Sequence, residues 1–144
     1  MKKLVSLAVA LVLALSLVAC GSSDSSAYKD GTYRAEAADY ENGYKPYVEL
    51  TISGGKITAV DFDCISQDGT TLKSDASRNG DYIMTTDGPL WADQAIAIEN
   101  YVVENNGVAN LTVDENGKTD AIASVSIGVS EMVELVNECL EQAK

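Results

Sequence analysis

Apolar and polar residues alternate in two stretches near the middle of the chain. Val48, Leu50 and Ile52 alternate with Glu49 and Thr51, and Val60, Phe62 and Cys64 alternate with Asp61 and Asp63. This period of two predicts a pair of half-buried strands joined through Ser53-Gly54-Gly55-Lys56. Parity sets the expected register. A two-residue Gly54-Gly55 loop would put Val48 opposite Asp61 and set an apolar row against acids. A three-residue loop, Ser53 to Gly55, puts Ile52 opposite Lys56, Leu50 opposite Thr58 and Val48 opposite Val60, with Gly55 in a left-handed bulge position. Asp61 and Asp63 then share the other face. A solvated face is the favoured reading there over a calcium or acid–base pair, since calcium takes about six to eight oxygen ligands.

Upstream, Asp30-Gly31 is a turn signal before a short strand in Thr32-Tyr33-Arg34-Ala35, and residues 36–45 read as loop. Residues 66–88 are polar and rich in turn residues, which predicts a long surface loop, mobile or functional, with Tyr82-Ile83-Met84 as a brief apolar contact. The period changes at Pro89. Trp91, Ala95, Ile98 and Val102 fall at helical spacing and predict a helix of about four turns, ending near Asn105-Asn106-Gly107. Trp91 suits ligand stacking or core packing, and its place on the stripe favours the core. A second strand pair is expected over residues 108–113 and 121–127, joined by Asp114 to Lys118. A closing helix from about Ser130, an N-cap residue type, carries the stripe Met132, Val133, Val136, Cys139 and Leu140. These elements predict a small single α+β domain over residues 28–144, with antiparallel β-hairpins packed against two amphipathic helices.

The amino terminus is of a different kind. Met1-Lys2-Lys3 is positive, residues 4–19 are apolar apart from Ser6 and Ser16, and no charge returns before Asp24. This reads as a secretory leader over residues 1–19 rather than a spanning helix, which takes roughly 20 apolar residues. It ends in Leu17-Val18-Ala19-Cys20, which resembles the bacterial lipobox. Cys20 is therefore the expected lipidation site, and acyl chains of the palmitate kind would hold the chain on a membrane outside the cytosol. Residues 20–27, the lipidated cysteine and a small, serine-rich run, read as a tether.

Charge and composition narrow the chemistry. The 144 residues carry a net charge of −12, and loss of residues 1–19 removes two lysines and no acid, leaving −14. Such a surface repels phosphate backbones, so nucleic acid is not an expected partner. No histidine is present, which removes Ser-His-Asp and Cys-His catalysis. Cys64 and Cys139 either pair, as an oxidising compartment allows, or serve as small buried apolar residues.

Asp30-Gly31-Thr32-Tyr33, the glycine hairpin from Val48 to Ile57, and Asp120-Ala121-Ile122-Ala123-Ser124-Val125-Ser126 occur in an order and spacing that resembles the FMN-binding domain family of exported bacterial lipoproteins and respiratory subunits. In that family the third segment reads Asp-x-x-Ser/Thr-Gly-Ala-Ser/Thr, and a flavin transferase joins the phosphate of FMN to the last hydroxyl. The resemblance implies that Ser126 is the acceptor hydroxyl, that Asp120 is the leading acid, and that the helix beginning near Ser130 lies by the phosphate. Ala123, Ser124 and Val125 stand where the motif has Ser/Thr, Gly and Ala, and Glu131 and Glu134 occupy the first turn of the helix.

Two functions follow as expectations. One is a membrane-anchored, extracytoplasmic flavin carrier that passes electrons between redox partner proteins, with FMN supplying the redox chemistry. The other is a non-redox binding lipoprotein that keeps the fold without covalent flavin, using the 66–88 loop or Tyr40, Tyr44 and Tyr47 for contact. Neither a nucleophile beside a base nor a metal constellation points to a free-standing catalyst.

Overall fold

The computed structural model describes residues 28–144. The predicted leader, Cys20 and the tether lie outside those residues. Three strands form an antiparallel meander in the order β1-β2-β3, where β1 is Gly31–Glu36, β2 is Tyr44–Ser53 and β3 is Lys56–Ser66. Three helices follow: α1 (Lys73–Asn79), α2 (Trp91–Glu104) and α3 (Ser130–Gln142). The domain is α+β, as expected. Among the described residues no helix is long and apolar enough to cross a membrane.

The alternation seen in the sequence turns one face of the sheet inward. Val48, Leu50, Ile52 and Phe62 meet Ile98 and Val102 of α2 and Met132, Val136 and Cys139 of α3 in one buried core. α3 packs against β1 and β2, and α2 packs against β3. The outer edge of β3 is capped by side chains: Glu99 of α2 accepts the Phe62 N–H at 2.9 Å, and Asn106 accepts the Ile57 N–H at 2.8 Å. An edge closed in this way offers fewer free backbone groups to another chain.

The hairpin register differs from the expected one. The turn is the two-residue loop Gly54-Gly55, with φ of +62° and +73°, and Ser53 pairs with Lys56 and Ile52 with Ile57. Parity is restored by a bulge instead. Thr58 is the extra residue, its hydroxyl bonded to the Thr51 carbonyl at 3.2 Å, so that Leu50 meets Val60 and Val48 meets Phe62. Moving the extra residue from the turn into the strand keeps the apolar rows on one face, and the turn takes left-handed geometry that glycine adopts without strain. Asp30 holds the tip by accepting the Gly55 N–H at 3.0 Å, which keeps its carboxyl below the ordinary range.

Asp61 and Asp63 do not both face solvent. Asp61 is exposed and accepts the Tyr47 hydroxyl at 3.0 Å, whereas Asp63 is buried and accepts the backbone N–H groups of Cys64 and Ser74, at 2.7 and 3.1 Å. The Ser74 bond explains an element absent from the sequence reading. α1 lies inside the expected 66–88 loop, is only 7 residues long, and has no side-chain cap of its own. Asp63, reaching over from β3, supplies one. β2 also begins earlier than its alternation suggests, at Tyr44 within the expected 36–45 loop.

The expected second strand pair does not form. Residues 108–129 run as turns whose backbone groups bond locally: Leu111 to Val108, Gly117 to Asp114, and Val125 to Ile122. Small residues such as Ala121, Ala123 and Ser124 offer little surface for a half-buried ladder. Ser130 opens α3 as a helical residue, and the cap position falls on Val129, which makes no side-chain cap bond. Of the predicted stripe on α3, Val133 is only partly buried and Leu135 takes its place in the core. Cys64 and Cys139 are both buried free thiols.

Candidate functional site

A cleft of about 360 Å³ opens where β2 and β3 meet α1 and the first turns of α2 and α3. β2 and β3 contribute Tyr44, Phe62 and Cys64, α1 contributes Lys73, and the segment after it contributes Tyr82 and Met84. Trp91 opens α2 as the floor, stacked on Phe62 at 5.7 Å with a 47° tilt, and is buried as the stripe predicts. The far wall is Lys118, Ile127, Gly128 and Glu131.

Local folding explains why these groups converge. The left-handed Gly80, φ +82°, ends α1, and the Asp81 and Tyr82 N–H groups return to the Ala76 carbonyl at 2.8 and 3.0 Å. Tyr82 comes to rest edge-on to Tyr44, ring centres 6.0 Å apart. Between these rings lies the Lys73 ammonium, 4.5 Å from the centre of Tyr82, 5.1 Å from Trp91 and 5.5 Å from Tyr44. Cation–π attraction holds it there. The cleft is electrically mixed. Burial, then Glu41, Glu134 and Asp39, raise the Glu131 carboxyl above the ordinary range. Burial pushes the Cys64 thiol up to about 12, against a smaller opposite pull from Lys73.

The segment implied by the motif lies against this wall. Ser126 is exposed, with its N–H 2.7 Å and its hydroxyl 3.3 Å from Oε1 of Gln94, and the same oxygen accepts the Ile127 N–H at 3.1 Å. Lys118 donates to the Ser126 carbonyl at 2.5 Å. Ser124, at the motif's glycine position, keeps a left-handed backbone, φ +62°. Val125 is partly buried against the core, and Ala123 is exposed. Asp120 does not line the cleft; it lines a neighbouring depression with Thr112, Asp114 and Ala121 that adjoins the cleft through Lys118. Thus Ser126 sits one residue from the cleft wall, and Asp120 lies in the adjoining depression.

Gln94 is the residue the sequence reading missed. It is 1% exposed, and its amide nitrogen donates to the Pro89 carbonyl at 3.2 Å while its oxygen receives the donors of Ser126 and Ile127. It ties the start of α2 to the loop before α3. The signal was a polar side chain three residues after Trp91, on the buried stripe, where an amide must find partners. Of the three tyrosines considered for contact, Tyr44 lines the cleft and Tyr40 is exposed. Tyr47 is buried on the opposite face, under the Arg34 guanidinium at 3.8 Å. Among the described residues no group of three or more His, Cys, Asp or Glu could hold a metal ion.

No protein-family model matches the chain. Over 68 residues it is 41% identical to a protein of Treponema pallidum (strain Nichols) named 15 kDa lipoprotein, a match covering 46% of each. The chain thus spans about half the length of that curated relative. A Clostridium perfringens protein of known crystal structure shares the fold at 20% identity, with a TM-score of 0.62 over 81% of this chain and 88% of that one. A solution NMR structure of a Clostridium thermocellum protein aligns at 38% identity and a TM-score of 0.62, covering 81% of this chain and 92% of that one. The chain belongs to the same family as that Clostridium thermocellum protein.

Proposed function

We propose that the protein is a membrane-anchored, extracytoplasmic lipoprotein whose domain holds a flavin of the FMN type in the cleft beside Ser126. The anchor rests on the leader and Cys20, and on the likeness to a protein named a lipoprotein. The observation that carries the ligand reading is the cleft, with aromatic walls from Tyr44, Tyr82 and Trp91 and the wall residue Ile127 adjoining Ser126. Aromatic faces set among polar and charged groups suit a heteroaromatic ligand that carries polar substituents. The attachment segment fits the group in two respects. Ser124, at the motif's glycine position, takes a left-handed backbone of the kind glycine adopts without strain, and the Ser126 side chain is at the surface.

The bound flavin would supply one- or two-electron redox chemistry. The chain's residues bind and orient. Gln94 fixes the Ser126 backbone, Lys118 holds its carbonyl, and the rings of Tyr82 and Trp91 exclude water from the cleft floor. Electrons would pass to redox partner proteins at the membrane face, and a flavin transferase would be needed for a covalent link.

A second reading, a non-redox binding module, is favoured by two features: Val125 adds bulk at a small-residue position, and Glu131 brings negative charge to the start of α3. One experiment separates them. The full chain is expressed with its leader in a host carrying a flavin transferase, and flavin is measured on the native and on the denatured protein. Flavin retained after denaturation, and absent from Ser126→Ala, marks a covalent carrier; flavin lost only on denaturation marks a non-covalent one. Protein colourless in both states, beside a labelled control with the intact motif, rejects the flavin reading in favour of the second.

A further inference from the structure

Four of the cations among the described residues are neutralised by carboxylates. Arg34 pairs with Glu36 and Glu49, Lys45 with Glu36, Arg78 with Asp75 and Lys144 with Glu141. Lys73 differs. Although Glu41 and Glu131 line the same cleft, Lys73 forms no ion pair among the described residues, and its ammonium is half-enclosed by three rings. Held by ring faces, the ammonium has no carboxylate counter-ion among the described residues and can turn a donor toward an incoming anion. Tyr82, edge-on to Tyr44, and the Trp91 floor place aromatic surface within about 6 Å of that charge. A ligand that fills both features has a planar aromatic body and a negative group on its edge.

We infer that Lys73 is the specificity-determining residue of the cleft, selecting a planar aromatic ligand that carries an anionic group. This rests on the reading of the cleft as a ligand site, and it does not require that the ligand be a flavin. Removal from bulk water strengthens the contact of ammonium with anion, and the fixed position of Lys73 lowers the ordering cost.

Two matched probes of one ring system test it. Naphthalene-2-sulfonate is anionic and 2-naphthol is neutral at pH 7, and both are titrated into the full chain in detergent micelles. The readout is the indole N–H resonance of Trp91, the single tryptophan of the chain, whose ring lies 5.1 Å from the Lys73 ammonium. The sulfonate should bind about tenfold more tightly, the discrimination one charge-assisted contact supplies. Lys73→Met should bring the two within about twofold of each other and Lys73→Arg should keep the preference. A preference that survives in folded Lys73→Met overturns the inference, as does failure of both probes to move the Trp91 resonance. FMN and riboflavin titrated in parallel separate the two claims: no flavin binding beside a Lys73-dependent sulfonate preference rejects the flavin and leaves Lys73 standing.

Discussion

Glu131 occupies the first turn of α3, where a carboxylate ordinarily gains from the helix dipole, yet burial and the nearby Glu41, Glu134 and Asp39 raise its pKa. A carboxyl whose folded pKa lies above its unfolded value binds its proton more tightly in the folded state. Its effect on stability is therefore favourable at low pH and lost as pH rises through the folded pKa. Glu131→Gln should raise the melting temperature at pH 7, and the difference from wild type should shrink as pH falls into the carboxylate range. An equal difference at both pH values would show that its charge is not the cause. The thiols give a second prediction at this scale. Burial pushes Cys64 up to about 12 and Cys139 up to about 11, so little thiolate exists at pH 8. The folded protein should resist a maleimide for hours and take up label at both positions in denaturant, counted by intact mass. This inertness was half-legible in the sequence: Cys139 falls on the α3 stripe, while whether it pairs with Cys64 is a matter of three-dimensional geometry.

At the scale of elements, periodic segments were legible and segments stabilised from elsewhere were not. α2 and the strand pair around Gly54-Gly55 declare themselves by spacing, because the core they face imposes it. α1 could not be read this way. Lys73-Ser74-Asp75-Ala76-Ser77-Arg78-Asn79 has poor helix formers and no apolar stripe, and its first turn is capped by Asp63 from a neighbouring strand. Asp63→Ala should cost about 2 kcal/mol by leaving the Cys64 and Ser74 N–H groups without their acceptor. Amide exchange should then quicken in α1 well before α2. If α1 and α2 quickened together, or the loss were under about 0.5 kcal/mol, the remote cap would not be what holds α1. The reverse error occurred over residues 108–127, where short apolar runs suggested strands. Asp114, Thr119 and Gln94 satisfy much of that backbone from side chains, and no ladder is needed.

Over the whole molecule, the sheet and its two long helices bring together residues far apart in the chain. The cleft joins Tyr44, Lys73, Tyr82, Trp91 and Ile127, none of which the sequence could place beside another. Ser126 was singled out through the resemblance of its segment to a motif, and Gln94, which bonds its backbone, was visible only as a polar residue on an apolar stripe. That Asp120 lines the neighbouring depression and not the cleft was not legible, since it depends on how the loop from Thr119 to Ser126 turns. Gln94→Leu should loosen that loop and cost about 2–3 kcal/mol, because the Ser126 and Ile127 N–H groups lose their shared acceptor. Thermal unfolding gives the cost, and exchange of those two amides gives its location. The central claim is that the cleft beside Ser126 is a flavin site, and an FMN titration of the full chain followed by backbone and indole NMR tests it most directly. Saturable shifts centred on Tyr82, Trp91 and Ile127 are the predicted result. No shifts, or shifts centred on a surface away from these three residues, would contradict it.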